Sequence, residues 1–189
     1  MFIEEYIEKS INVKKMLLED AGIIQTIYKV ADVIIDAYRN GNKVLTAGNG
    51  GSTADAQHLA GELVGKFNLE RPGLSAISLT NDMSIITAVG NDYSFNEIFA
   101  RQIQANGRKG DVFIGISTSG NSKNVVRALE EARKYGLITV LFTGSKKCEG
   151  EKFSDYTIKV PSEVTPYIQE CHVMIGHILC AIVEKNMFS

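Results

Sequence analysis

VLTAGNGGS (Val44–Ser52) runs from a short apolar stretch straight into a turn of small residues, and the chain from Ser52 to about Lys66 then reads as a helix. A short run of apolar and small residues, VLTA closed by glycine, is the pattern of a strand buried on both faces. The same pattern returns at DVFIGIS (Asp111–Ser117), which passes through STSGNS (Ser117–Ser122) into a helix over Ser122–Tyr135 ended by Gly136. Strand, small-residue turn and helix in that order imply a parallel sheet covered by helices.

Working outward, LSAISL (Leu74–Leu79), LITVLFTG (Leu137–Gly144) and DYTIKV (Asp155–Val160) add three strands, with helical segments around Asp82–Val89 and Phe95–Asn106. A long C-terminal helix follows Thr165-Pro166, read as an N-cap with proline at the first helical position. Residues 1–40 form a helical leader of two helices. Ile23, Ile24, Ile27, Val30, Ala31, Ile34 and Ile35 carry its clearest 3.6-residue period, and Asn40-Gly41 is its stop. About five strands over residues 43–189 fit one doubly wound α/β domain, so residues 1–189 are expected to be a single domain. Ligands in such a domain bind outside the carboxyl ends of the strands.

With 189 residues the chain can bury a sizeable core, and its net charge of −2 gives no basic footprint for nucleic acid or an anionic membrane. Any anion must be held locally. Cys148, Cys171 and Cys180 are odd in number and lack a paired metal spacing, which argues against a disulfide framework. The N-terminal MFIEEYIEKS is too acidic for a signal peptide, and no apolar run is expected to approach the ~20 residues that span a bilayer. The expected location is the cytoplasm.

Both turns have the composition of a phosphate seat. Ser117, Thr118, Ser119 and Ser122 place four hydroxyls ahead of a helix N-terminus, whose free N–H groups favour an anion. The bland alternative, an ordinary polar turn capped by Asn121 or Ser122, has equal weight for this motif alone. GNGGSTAD meets neither the dinucleotide fingerprint nor the Walker pattern, and Ser52 with Asp55 has capping-box spacing.

His58 and Glu62, four apart on the helix leaving the first turn, share a face. They suit one divalent metal or a division of acid and base duties, although a solvent-facing pair is the commoner use of that spacing. The C-terminal helix carries Gln169, Glu170, His172 and His177 in an otherwise apolar stretch. His172 and His177, five apart, point roughly 140° from each other, so one site can hardly use both. Spacing alone does not choose between them.

AGNGGSTADAQHLAGEL, ISTSGNS and YIQECHVMIGH together resemble the SIS (sugar isomerase) family, and within it the phosphoheptose isomerases, over nearly the whole chain. The resemblance implies interconversion of sedoheptulose 7-phosphate and D-glycero-D-manno-heptose 7-phosphate through an enediol, the entry to bacterial heptose for lipopolysaccharide core or capsule. It also implies a homotetramer with sites between subunits. Carried over by position, Ser117, Thr118, Ser119 and Ser122 take the phosphate, while Asn49, Gly50, Gly51, Ser52, Asn91 and Asp92 line the sugar. His58, Glu62, Gln169 and His177 would ligate one zinc ion per subunit, and Glu62 and His177 would also be the acid–base pair. His172 would be a packing or interface residue. Because Gln169 and His177 lie about 12 Å apart along one helix, they meet one metal only if both lean inward.

The rival from another class is a non-catalytic SIS-fold protein, one that binds a phosphosugar or associates with a replication initiator. Retention of both Glu62 and His177 favours an enzyme. An isomerase for another sugar phosphate, such as arabinose 5-phosphate, is the nearer alternative.

Overall fold

The strands are β1 (Val44–Gly48), β2 (Ala76–Ser78), β3 (Val112–Ile116), β4 (Ile138–Thr143) and β5 (Tyr156–Lys159), in a computed structural model that describes residues 1–189. They form one parallel sheet in the order β2-β1-β3-β4-β5. Val44 lies opposite both Ala76 and Val112, Val112 opposite Ile138, and Val140 opposite Tyr156. The order reverses direction between β1 and β3, which makes the carboxyl ends of those two strands the switch point where such sheets bind ligands. The two small-residue turns leave the sheet there.

Seven helices surround the sheet: α1 (Phe2–Glu19), α2 (Ala21–Arg39), α3 (Gly51–Val64), α4 (Met83–Asp92), α5 (Ala100–Asn106), α6 (Lys123–Lys134) and α7 (Thr165–Phe188), with α1 packing on α2 and α7. Alternation along each strand divides the core. Val112, Ile114 and Ile116 of β3 face a cluster built with α2, α3 and α7, whereas Phe113 faces one built with α5 and α6. The strands read as continuous apolar runs because both faces are buried.

Most predicted elements lie where expected; apart from ends displaced by one to three residues, as at β2, three differences stand out. The stretch Phe95–Asn106 divides into a 3₁₀ turn at Phe95–Glu97 and α5, because Ile98 and Phe99 between them turn fully into the second core. Another 3₁₀ turn, Glu149–Phe153, lies where no element was expected. Val164, not Thr165, is the N-cap of α7, and Thr165 and Pro166 are its first two helical residues. The leader ends as predicted, with Asn40 as C-cap and Gly41 at φ +74°.

The expectation that no segment could span a bilayer needs correcting. By length and composition α7 is apolar enough to do so. Half of its apolar window is buried inside this domain, packed on α2 and α3, as a core helix would be. Its polar residues, spaced through the helix, disguise its apolar character in a count of consecutive residues.

Candidate active site

The two turns are joined at the switch point by their asparagines. Asn49 Nδ2 donates to Asn124 Oδ1, and Asn124 Nδ2 donates to Asn49 Oδ1, each at 2.8 Å. Asn124 Oδ1 also accepts from the Val125 N–H in the first turn of α6. Glycine is required at two places around this clasp. A Cβ on Gly48 would lie 2.5 Å from the Ser52 carbonyl oxygen, and Gly120 sits at φ +64° with Cys148 Sγ against it. The chain therefore turns within van der Waals distance of the next helix.

Neither turn behaves as a simple cap. The N-cap of α3 is Gly50 and makes no side-chain cap bond; Ser52 is buried inside the first turn and forms no capping box with Asp55. Ser122 is the N-cap of α6, but its hydroxyl pairs with Ser117 Oγ at 2.9 Å instead of the helix amides. Thr118 and Ser119 line a cavity of about 140 Å³ with Ser145, Lys146 and Thr165, between the ends of β3 and β4 and the start of α7. Hydroxyls and a helix N-terminus facing such a space can hold a phosphate.

Beside that cavity α3 and α7 run in the same direction. Gly51 lies against Gln169 at their beginnings, where a Cβ on Gly51 would fall 2.4 Å from Gln169 Nε2. About two turns further on, three side chains converge: His58 Nε2 is 2.7 Å from His177 Nε2 and 3.4 Å from Glu62 Oε1. One donor atom from each residue lies within 4.8 Å of the others. The Phe67 ring backs His177 at 5.5 Å between centroids. Ile116, the last residue of β3, lines the cavity beneath the cluster, and Ser117 follows it directly.

Two imidazoles and a carboxylate are a donor set that divalent metals accept, zinc among them. Ligands of a tetrahedral zinc with bonds of about 2 Å lie about 3.3 Å apart. The histidine–glutamate spacing already fits, and the two imidazoles would open by a few tenths of an ångström. Gln169 is placed beside Gly51, about two helical turns from His177. Asn91 and Asp92 lie at the exposed end of α4, bonded to each other and outside both cavities.

Several residues of the site escape a reading by motif. Arg71 and Glu184 are almost wholly buried and paired at 2.9 Å. Arg71 Nη2 donates to the Glu62 carbonyl and Nη1 to that of Leu63, closing the end of α3. Burial opposes the charge on Glu184, yet the N–H groups of Asn68, Phe67 and Leu69 and the Arg71 guanidinium hold its carboxyl below the usual range. Asp55 and His172 line the floor of the cluster's cavity. Burial pushes the Asp55 carboxyl up to about 6, against the pull of His58, and pushes His172 down to about 4. Asn124 follows STSGNS closely enough to have been a signal; Arg71 and Glu184 had none.

A switch point able to seat a phosphate beside a carboxylate and two imidazoles is the architecture of a sugar-phosphate isomerase domain. Comparison with known proteins agrees. A model of the SIS domain matches residues 5–144. A phosphoheptose isomerase of Aneurinibacillus thermoaerophilus is 54% identical over 187 residues, covering 99% of this chain and 94% of that protein. Phosphoheptose isomerase 2 of Campylobacter jejuni is 53% identical over 187 residues, covering 99% and 93%. The structure of a phosphoheptose isomerase from Francisella tularensis superposes with a TM-score of 0.92 at 38% identity, over 97% of this chain and 96% of that one. The chain belongs to the SIS domain family and, within it, to the phosphoheptose isomerases.

Proposed function

We propose that the chain is an aldose–ketose isomerase that interconverts sedoheptulose 7-phosphate and D-glycero-D-manno-heptose 7-phosphate through an enediol. The observation that carries this is the convergence of Glu62 with His58 and His177 next to the serine-rich turn. Glu62 removes the proton from one of the two carbons C1 and C2 and returns it to the other. His177 exchanges protons with the sugar oxygens, in ring opening and in the enediol. The hydroxyls of Ser117, Thr118, Ser119 and Ser122 hold the phosphate, and that remote binding orients the reacting carbons. Asn49, Gly50, Gly51 and Ser52 line the sugar.

His58, Glu62 and His177 would hold a zinc ion, with Gln169 able to join only by reaching along α7. When bound, zinc would polarise the carbonyl and favour the enediolate. A homotetramer with sites between subunits goes with this function, and would bring Asn91 and Asp92 to a neighbour's sugar. Support comes from α1, which leaves Phe2, Ile3, Ile7 and Leu18 more than half exposed along one helix. A cytoplasmic location suits a phosphorylated substrate, which does not cross a bilayer unaided.

The test is turnover of sedoheptulose 7-phosphate by the purified chain, followed by proton NMR in D₂O with and without added zinc. Aldose product that is lost in Glu62→Gln is the expected result. A folded protein that binds the sugar phosphate but makes no product under either condition would leave a non-catalytic binding protein as the reading.

A further inference from the structure

Two residues that each carry a buried, unpartnered atom, Asp55 and His172, line one small space together with His58, Glu62 and His177. His172 is 2% exposed, and its Nε2 is 3.4 Å from the Thr143 carbonyl oxygen of β4. A carbonyl only accepts, so Nε2 carries the proton and Nδ1 is an acceptor. His172 Nδ1 has no hydrogen-bond partner within the chain, and neither has the buried Asp55 Oδ2. Both residues line the same cavity of about 10 Å³, whose wall also includes His58, Glu62 and His177. That volume accepts about one water molecule.

We infer that Asp55 and His172 share one bound water, which donates one hydrogen to Asp55 Oδ2 and the other to His172 Nδ1. Water fits because it is the smallest species with two donors for two acceptors, and buried acceptors require donors. The bridge spans α3 and α7 at the level where it matters. Asp55 lies three and seven residues before His58 and Glu62, on the same helical face, and His172 lies five before His177. From the Thr143 carbonyl through His172 and the water to Asp55, the bridge ties α3 to the sheet. Asp55 and His172 are thus positioning residues for the cluster. The positioning role rests on the isomerase function proposed above; the water does not.

The water is tested by a crystal structure of the full chain at a resolution that shows ordered solvent. One peak within hydrogen-bond distance of both Asp55 Oδ2 and His172 Nδ1 is expected. A dry cavity, a metal ion in it, or direct contact between the two side chains overturns the inference. The ¹⁵N spectrum of His172 checks it in solution, where the Nε2–H tautomer with a hydrogen-bonded Nδ1 is expected. The positioning role is tested by kinetics. Asp55→Ala should lower kcat by about tenfold to a hundredfold, with KM for the sugar phosphate unchanged, as misplacement of catalytic groups does. Asp55→Asn keeps an acceptor for the water and should recover most of that loss. An unchanged kcat in Asp55→Ala, or a fall shared equally by Asp55→Asn, overturns the role. A wild-type chain without turnover would instead refute the isomerase function, leaving the solvent peak to decide the water.

Discussion

Arg71 and Glu184 form an ion pair in which the side chains are 1% and 2% exposed, and its two ends fasten the two helices that carry His58, Glu62 and His177. Arg71 holds the terminal carbonyls of α3, and Glu184 lies on α7 two turns beyond His177. Removing one partner of such a pair leaves a buried charge without compensation. Glu184→Gln is expected to lose about 3 kcal/mol of stability, measured by urea unfolding. A loss below 1 kcal/mol would show that the loop relaxes and hydrates the guanidinium.

The amide clasp between Asn49 and Asn124 predicts a different signature. Asn124→Ala frees Asn49 and the first turn without opening the core, so thermal stability should change little. Binding of the sugar phosphate should weaken about fivefold, as loss of roughly 1 kcal/mol in hydrogen bonding implies. Steady-state KM set beside a melting curve decides it; a large fall in melting temperature with unchanged KM would make the clasp structural.

The buried histidine predicts how stability depends on acidity. His172 titrates near 4 in the fold against an ordinary 6.5. Between those values the unfolded chain takes up a proton that the folded chain refuses. Its contribution is therefore complete above pH 6.5 and is lost as pH falls toward 4, on the order of 3 kcal/mol. Asp55 acts in the opposite sense. Raised to about 6 from 3.8, it is protonated more readily in the fold, so acidification through that window offsets part of the loss. In His172→Phe the decline between pH 7 and pH 5 should disappear, as read by denaturant midpoints at the two values.

Metal binding should follow the three-residue cluster. Equilibrium dialysis with zinc is expected to give one ion per chain, weakened at least about tenfold by His58→Ala or His177→Ala. Gln169→Ala should have a smaller effect, given the placement of its amide beside Gly51. Acidification should weaken binding, since protons compete for the imidazole nitrogens. Equal effects at all three positions would require α7 to bend Gln169 into the cluster.

Legibility in the sequence followed the range of the interaction. Val44–Gly48 was readable to the residue because a strand buried on both faces writes itself as a continuous apolar run. Leu74 and Leu79 overran β2 because both are buried beside a three-residue edge strand; the Leu79 N–H still donates to the Thr46 carbonyl of β1, but the paired register covers only Ala76–Ser78. The His58–Glu62 pair was visible from helical spacing, and the resemblance supplied His177 as its companion. The clasp and the ion pair were not visible, since they join residues 75 and 113 positions apart and carry no local period. His172 could be placed inside an apolar helix, but only the fold shows that it lines one cavity with Asp55.

The anchoring of α3 against α7 at both ends limits how this protein can vary in length. Gly51 meets Gln169 at one end, and Arg71 draws the other toward Glu184, with His58, Glu62 and His177 in between. One inserted or deleted residue between Gly51 and Glu62 would turn every later side chain by about 100°. Glu62 would then leave His177, and Leu63 would turn away from the core with it, while the helical backbone itself could still form. Exposed positions of this stretch such as Ala54 and Gln57 can tolerate substitution, but indels should be purged from it even when the altered protein still folds.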